Sequence, residues 1–223
     1  MRPALLVLCV FVVAGCSSPA DPEPVPSTES PLMPTASTVQ LPDQELQLGA
    51  VLAGAPAQVT ATGPAVVDLT APSGDPAVVA ALDCSACSGP VAVSSVATGS
   101  RWVDGAAPLT GQYLVDLSRG DDPGLLVEAE GEWSLRVLAA EDVPPSAGVQ
   151  QGTGPAVVRL TDTGAQLWVL ADAELTARAV ALTGDRRSMS FGADGGVEQT
   201  LELAGPVLVG LDTAGRWSVQ LRP

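Results

Sequence analysis

One stretch of this chain occurs twice, and that constrains the fold more than anything else in it. Thr62-Gly63-Pro64-Ala65-Val66-Val67-Asp68-Leu69-Thr70 returns as Thr153-Gly154-Pro155-Ala156-Val157-Val158-Arg159-Leu160-Thr161. Further on, Gly131-Glu132-Trp133-Ser134-Leu135-Arg136-Val137 returns as Gly215-Arg216-Trp217-Ser218-Val219-Gln220-Leu221. Start and end markers recur in the same order, which describes a duplicated module.

Within the second copy, runs suited to strands fall at 155–160, 166–172, 177–182, 187–191, 197–203, 206–211 and 216–221. Turn residues separate most of them, as at Asp162-Thr163-Gly164 and Asp194-Gly195-Gly196. In "GRWSVQL" polar and apolar residues alternate, which puts Trp217, Val219 and Leu221 on one face. Short strands at this spacing predict an all-β chain of two tandem small antiparallel β-sandwich domains. Repeat 1 spans 47–140, repeat 2 spans 141–223, and 139–152 is the natural joint.

The N-terminus reads differently. Arg2 followed by the apolar run from Ala4 to Val13 has the charge and length of a secretion signal, and the run is too short to cross a bilayer. Its end, Val13-Ala14-Gly15-Cys16, resembles the lipobox of bacterial lipoproteins. The resemblance implies that residues 1–15 are a signal peptide that is removed, and that Cys16 carries a diacylglyceryl anchor. Acyl chains such as palmitate would then hold the protein on the outer, extracytoplasmic face of the cell membrane. Residues 16–46 read as a Pro/Ser-rich linker, with Pro19, Pro22, Pro24, Pro26, Pro31, Pro34 and Pro42 blocking helix and favouring an extended stalk. The whole layout resembles secreted or lipid-anchored actinobacterial proteins that carry tandem β-sandwich modules ending in a Gly-x-Trp-Ser/Thr strand. That resemblance implies an extracytoplasmic, non-catalytic module and supplies no catalytic residues.

Composition narrows the chemistry. The chain has no Lys, His, Asn or Ile. A Ser or Cys nucleophile therefore lacks the usual side-chain base, and imidazole metal sites are excluded. The formal net charge of −15 disfavours nucleic acid as a partner and serves solubility. No cofactor is expected.

Four groups of residues invite a functional reading. Cys84-Ser85-Ala86-Cys87 lacks the His of a haem attachment site and the further ligands of a zinc site. It reads as a disulfide pinching a hairpin turn outside the cytoplasm. Asp162-Thr163-Gly164 resembles the D-T/S-G of aspartic proteases, but the first copy has no equivalent, so catalysis would require a homodimer. A D-T-G between two strands is also simply a good turn. Asp121-Asp122 and Asp194 sit in Gly-rich turns that could ligate Ca²⁺. Trp102 and Trp168 could stack on a sugar or peptide, or fill the core, whereas Trp133 and Trp217 share a repeat position and read as core.

The leading expectation is a lipid-anchored binding or scaffolding protein of the cell envelope, partnered by an envelope protein or glycan. A carbohydrate- or Ca-binding sandwich is the alternative, and a homodimeric aspartic protease a remote one.

Overall fold

The computed structural model describes residues 41–71, 77–117, 124–183 and 187–223. Cys16, the signal peptide, most of the stalk and the Asp121-Asp122 turn lie outside the described residues. All described residues belong to one compact unit, Gln40–Pro223. It is all β, with one 3-10 turn and no α-helix among the described residues.

The first sandwich is built from β1 (Glu45–Ala50), β2 (Ala57–Thr62), β3 (Ala65–Thr70), β4 (Ala77–Ser95), β5 (Arg101–Ala106), β6 (Leu109–Asp116) and β7 (Gly124–Ala139). Two of these strands, β4 and β7, are long enough to run through both layers. The start of β7 pairs with β3 and its end with β2, while the start of β4 pairs with β6 and its end with β5. One layer is thus β1-β3-β7-β4-β5 and the other β2-β7-β4-β6.

After a 3-10 turn at Ala140–Asp142, the second sandwich comprises β8 (Pro145–Ser146), β9 (Gln150–Thr153), β10 (Ala156–Leu160), β11 (Gln166–Ala171), β12 (Leu175–Ala181), β13 (Ser188–Ala193), β14 (Val197–Glu202), β15 (Val207–Asp212) and β16 (Arg216–Arg222). Its layers are β8-β10-β15-β12-β13 and β9-β16-β11-β14. The strand order is that of the first sandwich, with β4 replaced by β11 plus β12 and β7 by β15 plus β16. All seven expected runs of this half are strands. Two further strands, β8 and β9, begin within the expected joint at 139–152.

Two expectations need correcting. The sandwiches are not wholly antiparallel, because β1 pairs with β3 and β8 with β10 in parallel. Each such pair joins strands separated by one that crosses to the opposite layer, so the chain returns in the same direction. Nor do the Cys residues close a hairpin turn. Ser and Gly around them read as turn formers, yet the strand continues as β4, bulged between Asp83 and Ala86 where it crosses between layers. The Cys84–Cys87 disulfide spans that bulge.

The bend depends on Gly131 of β7, whose φ is +107° and whose missing Cβ would lie 2.8 Å from the Ala86 carbonyl oxygen. Gly215 occupies the matching bend in the second half. There the Asp172 carboxylate accepts the Arg216 N–H at 2.7 Å, where the first half has its disulfide.

Alternation along the strands gives each sandwich its own core. In the first, Trp133, Leu125 and Leu135 are fully enclosed, and in the second Leu160, Leu167 and Leu175. A third apolar cluster joins the two. Ala77, Val79 and Leu114 of the first meet Val157, Val180 and Leu208 of the second, with Ala140 and Val143 of the connection. At that seam Gly210 lies so close to Leu114 that a Cβ would not fit.

Candidate functional site

The two tryptophans offered as ligand platforms part company. Trp102 on β5 is only 6% exposed and packs in the first core, so it presents no face to a ligand. Trp168 on β11 stands half-buried on the outer face of the β9-β16-β11-β14 layer. Thr200 of β14 and Gln220 of β16 lie directly opposite it. Its indole Nε1–H donates to Glu198 Oε1 at 2.8 Å, and the Arg222 guanidinium lies 4.0 Å from the ring centroid. Beside it, Gln166 donates to Glu202 Oε1 at 2.7 Å, and Leu170 is 39% exposed. The result is a flat patch of amide, carboxylate and guanidinium groups around one aromatic ring.

The Asp162-Thr163-Gly164 loop is committed to structure. It joins β10 to β11, and the Asp162 carboxylate accepts the Gly148 N–H at 2.9 Å. Gly164 packs against the backbone of Arg222, and its carbonyl accepts the Gly205 N–H at 3.1 Å. Asp194 lies exposed in the turn between β13 and β14, and the described residues contain no cluster of metal-ligating side chains.

Sequence reasoning missed a polar group at the seam between the sandwiches. Arg178 of β12 reaches across to donate to the backbone carbonyls of Arg101 and Trp102. Burial lowers its affinity for its proton, against the opposing pull of Asp212 and Asp116. Burial also pushes the Asp212 carboxyl up to about 6, although Arg178 works in the other direction. Beneath them the Tyr113 hydroxyl is enclosed with no hydrogen-bond partner, and burial, then Asp212, raise its pKa. Ser188 of β13 closes the group by donating to Asp116 Oδ2 at 2.5 Å. On its own strand each of these residues looks like an outward-facing polar side chain, so nothing local marks them.

No family model matches the chain, and no curated protein does. Among solved structures, it is similar to the CUB1-EGF-CUB2 domains of rat MASP-1 at 8% identity, over 79% of this chain and 100% of that one, with a TM-score of 0.28. It is also similar to the regulatory domain of Toxoplasma gondii PKA with cAMP at 9% identity, over 75% of this chain and 78% of that one, with a TM-score of 0.21. At those scores neither neighbour informs the architecture or the ligand of this chain.

Proposed function

We propose that this is a lipid-anchored, extracytoplasmic, non-catalytic binding or scaffolding protein of the cell envelope, tethered through Cys16 and a Pro-rich stalk, its sandwiches two copies of one ancestral module. The observation that carries the non-catalytic part is the commitment of Asp162, whose carboxylate holds the Gly148 loop at 2.9 Å. With no His or Lys in the chain, a Ser or Cys nucleophile would have neither imidazole nor amine beside it as a base. The tether is tested by metabolic labelling with palmitate. Label on the parent chain and none on a Cys16→Ala variant is the expected result, and equal labelling overturns it.

A carbohydrate-binding reading has one observation in its favour, the half-buried Trp168 ring beside Glu198 and Arg222. Sugar hydroxyls pair with carboxylate, amide and guanidinium groups while the ring stacks on C–H faces. Retention of envelope glycan by the full chain, lost on Trp168→Ala, favours this reading. Retention of a discrete envelope protein by both forms favours scaffolding.

A further inference from the structure

The outer face of the β9-β16-β11-β14 layer divides into two halves. Toward β14 its polar side chains engage one another. Gln166 donates to Glu202, Trp168 donates to Glu198, and the Arg222 guanidinium lies over the Trp168 ring. Toward β9 they do not. There Arg216 stands directly opposite Thr153 and Ser218 opposite Gln151, so the four side chains share one face. Among the described residues, none of these four side chains makes a hydrogen bond or ion pair with the protein. Asp172 accepts the Arg216 backbone N–H at 2.7 Å and forms no ion pair with its guanidinium.

A hollow of about 470 Å³ lies over these two cross-strand pairs. Its floor is the Gly152–Trp217 pair, with the Trp217 indole turned into the core, and its walls are the four polar side chains. That volume is in the range of small-ligand sites.

A guanidinium without a carboxylate is best satisfied by an oxyanion, which takes two parallel charge-assisted N–H bonds. Two hydroxyls and an amide stand beside it and no apolar side chain forms a wall, so the rest of the ligand must be rich in hydroxyls. The net charge of −15 does not close the hollow to an anion. Neither β9 nor β16 carries an acidic residue, and charges farther off are screened over about 8 Å in physiological salt. The first sandwich differs at the matching place in the repeat. There Glu132 stands opposite Thr62 where the second has Arg216 opposite Thr153, so an anion is repelled.

We infer that this hollow binds a single sugar unit carrying an oxyanion, carboxylate or phosphate, with the oxyanion on Arg216 and sugar hydroxyls on Thr153, Ser218 and Gln151. This inference rests on the binding-module reading and names a ligand class and a site for it, apart from Trp168.

The test titrates the full-length chain in neutral detergent with methyl β-glucuronide and with glucose 6-phosphate. Methyl β-glucoside is the neutral match, and acetate and inorganic phosphate are the bare anions. The readout is the NMR signal of the Gly152 backbone amide. The expected result is that at least one acidic sugar binds at least about tenfold tighter than the glucoside and than its own bare anion. The tighter of the two names the oxyanion. Arg216→Gln, at an exposed side chain, should erase that margin while the melting temperature holds. Arg136→Gln, exposed on the first sandwich, should leave it unchanged. Equal affinity for the glucoside and the acidic sugars overturns the inference, as does a bare anion that matches them. A margin that survives Arg216→Gln, or that Arg136→Gln removes equally well, overturns it too. Envelope capture by the same protein persisting after such a failure would remove this site alone and leave the binding-module reading standing.

Discussion

The indole Nε1–H of Trp133 donates to the carbonyl of Gly63 at 2.7 Å, bridging 70 residues of chain. It ties the last strand of the first sandwich to the turn that enters β3. The second sandwich repeats the bond, Trp217 to the Gly154 carbonyl at 3.0 Å. In both halves the accepting glycine has positive φ, +77° at Gly63 and +70° at Gly154. The repeated sequence markers are therefore the two ends of one tertiary contact. Trp133→Phe keeps most of the buried area but orphans the Gly63 carbonyl, so a loss of about 1–3 kcal/mol is expected in urea unfolding. Trp133→Ala adds a cavity and should cost about 3–5 kcal/mol.

Gly131→Ala should be more damaging than its size implies. The new Cβ would sit against the Ala86 carbonyl at a φ that side chains rarely adopt. A fall in melting temperature larger than that of Gly195→Ala, where the space is open, is the expected outcome.

Removing the disulfide should cost little. The loop closed by Cys84–Cys87 is so short that its entropic contribution is only about 2 kcal/mol. The corresponding bend at Asp172–Gly215 holds without one. Thermal melts of Cys84→Ala/Cys87→Ala, or of the parent under reductant, should show a cooperative transition shifted by a few degrees, not loss of the fold.

Asp212 makes stability depend on pH in an unusual direction for an acid. In the folded chain burial pushes its carboxyl up to about 6, against about 3.9 for an ordinary aspartate. Between those values the folded state binds the extra proton, so this group favours folding increasingly as pH falls and opposes it above about 6. Asp212→Asn should therefore melt higher than the parent at pH 7.5, and the gap should shrink steadily toward pH 4. A gap independent of pH would show that Asp212 is not the titrating group.

What was legible in the sequence was local. Period-two alternation in "GRWSVQL", the Asp-Thr-Gly and Asp-Gly-Gly turns and the paired tryptophans depend on neighbours along one strand, and all appear as read. Trp102 could not be placed because a lone Trp reads the same on either side of a strand. The Cys pair misled because Ser and Gly around it favour turns, while the facing Gly131 lets the strand run on. The seam was invisible for a different reason. Val79, Leu114 and Leu208 look like ordinary core, and Arg178 and Asp212 like ordinary surface. Only the packing of one sandwich on the other separates apolar seam from polar rim.

The unequal construction of the halves carries a dynamic consequence. In the first sandwich, β4 and β7 pass unbroken through both layers, so neither layer can detach without bending 19- and 16-residue strands that belong to the other. Amide protons along those strands should exchange through a single concerted opening. In the second, the equivalent strands are interrupted between Ala171 and Leu175 and between Asp212 and Arg216. β13 and β14, joined by a short turn and each the edge strand of its own layer, can fray there while the rest stays closed, so hydrogen exchange should divide the protein into one stiff half and one that yields from its edge.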